Sequence, residues 1–130
     1  MYKKITMKNT NTLYKKQCGN QGEELATQYL LENGYQIVKR NFKFGREGEI
    51  DIIANHNNTL VFIEVKTRTN HSFGDPIEQI SQRKRKSWYH AAKGFLYVNK
   101  ISNQECRFDA IIIDLSKDAK EQILHIQNAM

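Results

Sequence analysis

Residues 48–68 read GEIDIIANHNNTLVFIEVKTR, and this stretch decides the fold. Two apolar runs flank the turn-rich NHNN, which predicts a β-hairpin with a loop at residues 56–59. Asn55 then pairs with Leu60, and Asp51 lies opposite Glu64. Directly opposed side chains in such a pair have Cβ atoms ~4.5–5.5 Å apart, so the two carboxylates are expected to face each other.

The face that holds these carboxylates is predicted to be strongly charged. Side chains alternate between the faces of a strand, so Lys66 shares a face with Glu64. Two close carboxylates repel each other unless a cation lies between them. Lys66 supplies one positive charge, and a divalent metal would supply the rest. Mg²⁺ accepts one or two carboxylates with water and phosphate, so Asp51 and Glu64-x-Lys66 suit metal-assisted phosphodiester hydrolysis.

The same pattern also fits the solvated face of an ordinary hairpin, where cross-strand carboxylate–lysine pairs are common. Apolar residues beside the charges favour the site instead, because they predict a sheet covered on both sides. A third carboxylate is available from Glu23, which lies about 20° from Leu30 on a helical wheel, whereas Glu24 projects outward. The alternative role for Glu23 is that of a first-turn acid favoured by the helix dipole.

Composition sets the class of protein and of partner. The chain has 130 residues, the size of one ordinary domain. Its 20 Lys and Arg against 14 Asp and Glu give a formal charge of +6, which favours polyanionic partners. No apolar run suits a membrane span or a signal peptide, so a cytoplasmic protein without a membrane partner is expected. The spacing of Cys18 and Cys106 fits neither a metal site nor a disulfide framework. Both are expected to be small, partly buried side chains.

The remaining segments predict a mixed sheet with flanking helices, an α/β fold in one domain. Residues 1–18 are polar and basic, which predicts an arm or a frayed terminus. Residues 19–130 are predicted to form the domain. Helical spacing covers residues 19–33, with Gly34 as the C-cap, and a second helix is predicted from Asp75 to Lys93. The predicted strands are residues 35–44, 48–54, 59–68, 95–99, 106–115 and 121–127.

Several segments together resemble a known family. GNQGEELATQYLLENGYQIVKRN, GEIDIIA, LVFIEVKTR, FGDPIEQISQRKRK and RFDAI resemble, in order and spacing, the bacterial YraN-type (UPF0102) family of small endonuclease-like proteins. GEIDIIA and FIEVK are also similar to archaeal Holliday junction resolvases, and more broadly to the restriction-endonuclease-like PD-(D/E)-x-K superfamily. Ile50 stands where the superfamily name has Pro.

This resemblance implies a restriction-endonuclease-like αβββαβ core, with Mg²⁺ or Mn²⁺ as cofactor. Asp51 and Glu64 would be metal-binding carboxylates, and Lys66 the motif lysine. Glu23 would be the helix glutamate that completes the catalytic and metal site, and Glu49 matches the acidic residue of the GEID motif. The implied activity is hydrolysis of DNA phosphodiesters, at branched or otherwise structured DNA. A homodimer is expected by analogy, since resolvase-like enzymes cut two strands symmetrically.

The basic residues are the candidates for nucleic-acid contacts. Most of RKRK at 83–86 is expected to be a solvated helix face, but Lys84 lies on the apolar stripe and matches a family lysine. His71 lies in a loop near the site and is expected to be an ordinary loop histidine. The predicted phosphate contacts are Lys84, Thr67, Arg68, Lys15 and Lys16.

Two further expectations bear on function. Trp88, Tyr89 and Phe95 are expected to be core residues and not platforms for base stacking. The alternative to a nuclease is a nucleic-acid-binding accessory protein on a nuclease-like fold, with vestigial carboxylates. A complete Asp51, Glu64 and Lys66 motif favours catalysis.

Overall fold

The computed structural model describes residues 7–69 and 80–130, with side chains at 13–14, 16–69 and 80–130. In this part of the chain, apolar segments separated by turn residues form two long helices and one sheet. The elements are α1 (Met7–Glu32), β1 (Gln36–Phe44), β2 (Gly48–His56), β3 (Thr59–Arg68), α2 (Gln82–Val98), β4 (Cys106–Asp114), a 3-10 turn (Ala119–Glu121) and β5 (Ile123–Ile126). The strands lie in the order β1-β2-β3-β4-β5, with the β3–β4 pair parallel and the other three pairs antiparallel.

This order contains the αβββαβ sequence of a restriction-endonuclease-like core, followed by one added strand. The predicted mixed α/β sheet is therefore confirmed. The helix α2 lies between β3 and β4 in sequence, as the connection between two parallel strands requires.

The two helices cover opposite faces of the sheet. Leu30 of α1 packs with Ile52 of β2 on one face. Trp88 of α2 packs with Ile53 of β2 on the other face. Since Ile52 and Ile53 are neighbours and both are fully buried, β2 is covered on both sides, as its continuous apolar run predicts.

The hairpin turn is tighter than the sequence predicts. His56 still pairs with Thr59, so the loop holds only Asn57 and Asn58. These two residues have φ values of 51° and 67°, the left-handed geometry of a two-residue hairpin turn that asparagine tolerates. The predicted loop of residues 56–59 is therefore too long, but the predicted pairing of Asn55 with Leu60 is confirmed, and the strand register is unchanged.

Helix α1 begins at Met7, before the predicted start near residue 19 and within the segment predicted as an arm. It ends at Glu32, and Gly34 follows as the predicted C-cap glycine with a φ of +84°. The Tyr35 N–H donates to the Leu30 carbonyl at 3.0 Å, and the Gly34 N–H donates to the Leu31 carbonyl at 3.3 Å. This pattern is a Schellman cap, and it turns the chain from the helix into β1.

Helix α2 begins at Gln82, where the Ser81 hydroxyl accepts the Lys84 N–H at 3.1 Å as an N-cap. The predicted start at Asp75 lies outside the described residues. Ile80 and Ser81 are not helical, so the predicted continuous helix from residue 75 to 93 is wrong at this point.

The far end of α2 also differs from the prediction. Residues 95–99 were expected to be a strand, but α2 continues to Val98 and Asn99 caps it. Ala91, Ala92 and Phe95 are all buried, so one apolar stripe runs on at helical spacing through this segment. The strand prediction is wrong because a short aromatic run has no period of its own to distinguish the two structures.

The burial predicted for the cysteines and aromatic residues is confirmed only in part. Cys18 is half-buried as expected, but Cys106 is exposed because it begins β4. Trp88 and Phe95 are core residues as predicted, whereas Tyr89 is 51% exposed and its prediction is wrong. In the part of the chain that is described, neither helix has the length and apolar character needed to cross a membrane.

Candidate active site

The candidate site opens where β2 and β3 separate. Their ladder ends at the pair Ile52 and Ile63. One position further, Asp51 Oδ2 accepts the backbone N–H of Val65 at 2.8 Å. A carboxylate thus satisfies this strand donor, as every buried N–H requires. The prediction that Asp51 and Glu64 meet at this end of the hairpin agrees with the geometry, since both line one cavity and are only 8% and 6% exposed.

The cation at Glu64 comes from the second helix. Lys84 Nζ lies 3.0 Å from Glu64 Oε1. The sequence predicts Lys66 in this role, but Lys66 is exposed on the cavity wall. The difference arises because α2 packs against the sheet and contacts β3, which brings Lys84 near the start of the helix to Glu64. Among described residues, Glu64 Oε2 is buried without a hydrogen-bond partner.

Crowding shifts the ionisation of both buried acids. Burial is the largest effect on Glu64 and raises its pKa, and the charge of Asp51 raises the pKa further. Lys84 lowers it in part, and the resulting pKa of Glu64 is about 8. Burial also raises the pKa of Asp51, although the Val65 N–H and Lys84 oppose it. Lys84 itself has a raised pKa, because the attraction of Glu64 and Asp51 outweighs its own partial burial. The pair therefore holds less negative charge than two free carboxylates would.

Glu23 lies at the same site, on the buried side of α1 as the helical wheel predicts. Burial and the charge of Asp51 raise the pKa of Glu23, and Arg40 opposes them. Arg40 Nη2 is 3.8 Å from Glu23 Oε2, and its Nη1 is 2.7 Å from Glu24 Oε1. Glu24 is exposed, as predicted. Three carboxylates thus gather here with two cationic side chains.

A cavity of about 860 Å³ joins these groups between α1, the ends of β2 and β3, and the start of α2. The helices contribute Lys16, Glu23 and Lys84 to its wall. The strands contribute Asp51, Glu64, Lys66, Thr67 and Arg68. Eight of the ten residues singled out from the sequence therefore line one space, although they come from four elements.

Glu49 and Lys15 are the remaining two predicted residues, and Glu49 does not line this cavity. Glu49 is half-buried, pairs with Lys43 in register and acts on Asp51 through its charge. The side chain of Lys15 lies outside the described part of the structure, as does all of His71. Arg68 is held at the rim by Asp114, with Nε 3.4 Å from Oδ2.

A glycine sets the distance between α1 and β3. A Cβ on Gly22 would collide with the Thr67 side chain, touching its Oγ1, Cβ and Cγ2 atoms. The helix backbone can therefore lie directly on β3, and the adjacent Glu23 reaches the site from there.

Residues 22–113 match the model of the "Uncharacterised protein family UPF0102". The chain belongs to the UPF0102 family. The resemblance predicted from the sequence is confirmed, and the matched span holds the three carboxylates, Lys66 and Lys84.

Curated relatives agree with this assignment. A UPF0102 protein of Clostridium novyi (strain NT) is 39% identical over 117 residues, which cover 89% of this chain and 97% of the relative. One of Chlorobium phaeobacteroides (strain DSM 266) is 43% identical over 105 residues, covering 81% and 82%. One of Caldicellulosiruptor saccharolyticus is 40% identical over 112 residues, covering 86% and 92%. The names of these relatives state the family and no activity.

Sequence reasoning missed Arg40 as the partner of Glu23 in this UPF0102 protein. A bulge between Ile37 and Lys39 shifts the register of β1. Because of this shift, Ile37 packs on the α1 face and Arg40 also reaches α1, although simple alternation separates them. No residue pattern marks the bulge. Tyr14 and Cys18 also line the cavity, and they were missed because their segment was predicted to be an arm.

The carboxylate oxygens of this cavity can be compared with the ligands that a divalent metal requires. Within residues 7–69 and 80–130, no three His, Cys, Asp or Glu side chains are arranged to hold an ion by themselves. Mg²⁺ needs fewer, because it keeps several waters and binds through one or two carboxylates. Asp51 and Glu64 offer such a pair, with the unpaired Glu64 Oε2 as a hard oxygen donor. The residues present fit a two-carboxylate site, and direct ligation by Glu23 stays a prediction.

Proposed function

We propose that this UPF0102 protein is a metal-dependent endonuclease that hydrolyses DNA phosphodiester bonds. Branched or otherwise structured DNA is the proposed substrate class, and Mg²⁺ or Mn²⁺ is the proposed cofactor. The observation that carries the proposal is the buried pair of carboxylates, Asp51 and Glu64, in the wall of a cavity that also holds basic side chains. Burying two acids together destabilises a fold, so such a pair points to a role that needs it.

Each side chain has a defined task in this proposal. Asp51 and Glu64 would hold the metal, which when bound polarises the scissile phosphoryl group and lowers the pKa of a water. Lys66, exposed on the cavity wall, stabilises negative charge that develops at phosphorus or orients the attacking water. Glu23 would complete the metal site from the α1 side of the cavity.

The basic wall would position the substrate. Lys16, Lys84, Arg68 and the Thr67 hydroxyl line the same cavity as the carboxylates. Their donors suit phosphate oxygens, which position a nucleic acid without reading its sequence. We also propose a homodimer, because two such sites together would cut two strands, as resolvase-like enzymes do.

A second candidate function is a nucleic-acid-binding accessory protein with no cleavage. The pair of Lys84 and Glu64 favours it, because an ammonium 3.0 Å from the carboxylate neutralises the site without a metal. This alternative expects salt-sensitive DNA binding that survives Asp51→Asn, and no cleavage under any metal.

A cleavage assay separates the two functions. Purified protein is incubated with Mn²⁺ on linear duplex, single-stranded and four-way-junction DNA, beside Asp51→Asn and Glu64→Ala. The nuclease proposal expects cleavage by the wild type that EDTA and both substitutions abolish. Intact DNA in every wild-type reaction, with binding retained, would overturn it in favour of the accessory protein.

A further inference from the structure

Another cavity, of about 730 Å³, lies beside the candidate active site at the start of α2. Ser81 and Lys84 line both cavities, so the two spaces are adjacent along this end of the helix. We call this second cavity the basic groove, and besides the shared Lys84 its basic side chains are Arg46, Arg83, Lys86 and His90.

The groove is built from two elements that are held together. The Ser87 hydroxyl donates to the Glu47 carbonyl, which ties the β1–β2 turn to α2. Gly48 permits this approach, since a Cβ there would crowd the Phe44 carbonyl, His90 and Ala91. Arg46 on the turn and the basic residues of α2 therefore line one space.

The groove carries a net positive charge among the described residues. Arg46, Arg83 and Lys86 are exposed, and within residues 7–69 and 80–130 none of the three forms an ion pair. Glu47 is the one acidic side chain that the described residues contribute to the wall, against several basic ones. A positive groove raises the local concentration of polyanions.

The spacing suits a nucleic-acid backbone. Arg83, Lys86, Ser87 and His90 recur at intervals of three and four residues, so they lie along one face of α2. From Arg83 to His90 the helix rises about 10 Å. That length matches about three base-pair steps of duplex DNA.

We propose that the basic groove binds the phosphodiester backbone of DNA as it continues outward from the candidate active site. This inference rests on the proposed function and adds a second contact region to it. Guanidinium, ammonium and hydroxyl donors contact phosphates, and among the described residues His90 alone contributes an aromatic ring to the wall. Binding here is therefore independent of base sequence and strongly dependent on salt.

The test measures DNA affinity against salt concentration. The probe is a short fluorescein-labelled DNA duplex followed by anisotropy in EDTA, so that no cleavage occurs. The triple variant R46Q/R83Q/K86Q is compared with K39Q/K100Q/K120Q, which removes the same charge elsewhere. Losing the groove contacts should reduce the steepness of log K against log salt by about 0.9 per contact, or about 2–3 in all. The control should keep the wild-type slope.

The salt titration tests DNA binding by the groove independently of cleavage. A wild-type slope in the groove variant, or an equal loss in the control, would overturn the inference. The single variant Arg83→Gln should lose about one contact, and thermal melts confirm that all variants fold. Failure of the wild type to cleave any DNA with Mn²⁺ would defeat the proposed nuclease but leave a slope change in the groove variant intact.

Discussion

Lys84 Nζ lies 3.0 Å from Glu64 Oε1, across the boundary between α2 and β3. The Glu64 side chain is 7% exposed and the Lys84 side chain 37%, so a buried acid is compensated by a partly solvated base. This contact provides the cation that the acid needs when no metal is bound. Lys84 and the proposed divalent ion would therefore offer alternative compensation for the same carboxylate.

Removing this ammonium should destabilise the protein most where Glu64 is ionised. Lys84→Ala should lower the free energy of unfolding by about 1–2 kcal/mol at pH 9, below the ~3–5 kcal/mol of a fully buried pair because Lys84 is partly exposed. At pH 5 the loss should be smaller, since Glu64 is protonated there. Urea unfolding at both pH values measures it, with Lys86→Ala as the control. Equal losses at both pH values would contradict the pairing.

The raised pKa of Glu64 makes stability depend on pH. Its folded value is about 8 against an ordinary value of 4.5, so between these limits the folded state holds the proton more tightly. The stability that protonated Glu64 provides is present below pH 4.5 and is lost as pH rises toward 8. Glu64→Gln should therefore gain in Tm relative to wild type between pH 5 and pH 9, in EDTA. A Tm difference that does not change with pH would contradict this account.

Close packing of α1 on β3 predicts a sharp difference between two glycines of the same helix. Gly22→Ala should destabilise the protein by about 1–3 kcal/mol, because its Cβ collides with Thr67. Gly19→Ala meets open space and should stabilise the helix by up to ~1 kcal/mol. Adding Thr67→Ala should partly rescue Gly22→Ala. Equal melting temperatures for the two alanine variants would disprove the contact.

The fold also depends on a buried acid outside the site. Asp109 is fully buried and accepts hydrogen bonds from Arg107 at 2.9 and 3.0 Å, His125 Nε2 at 2.7 Å and the Asn128 N–H at 3.1 Å. Burial alone would raise the pKa of Asp109, but these hydrogen bonds outweigh it and lower the pKa below 3.8. The resulting stability is present above pH 3.8 and is lost as pH falls through the folded pKa.

Asp109→Asn should therefore destabilise the protein strongly at pH 7, by about 3–5 kcal/mol, because it leaves Arg107 without its charge partner. The deficit relative to wild type should shrink below pH 3.8. Urea unfolding measures both. An unchanged affinity for Mn²⁺ is also expected, since Asp109 does not line the active-site cavity. A variant as stable as wild type at pH 7 would show that the network is dispensable.

Local periodicity was enough to place part of the site. Asp51 and Glu64 meet because a hairpin fixes register over a few residues, and an error in loop length left that register unchanged. The helical wheel put Glu23 at the edge of the apolar stripe of α1, and the family resemblance implied its place in the site. The strand register and the helical wheel both needed only neighbours in sequence.

The contacts that were missed depend on distant parts of the chain. Lys84 reaches Glu64 only because α2 packs beside β3. Arg40 reaches Glu23 because of a bulge that no residue pattern announces. The basic groove brings Arg46 to Arg83 across two elements, where the sequence analysis expected a solvated helix face.

The central claim is that Asp51 and Glu64 together hold a divalent cation. Titration with Mn²⁺, followed by electron paramagnetic resonance of the free ion near pH 8, measures this directly. Wild type should show a saturable site that Asp51→Asn and Glu64→Gln each weaken at least tenfold, while Glu32→Gln, an exposed acid on α1, leaves it unchanged. No saturable Mn²⁺ site in the wild type, or the same affinity in all four proteins, would contradict the claim.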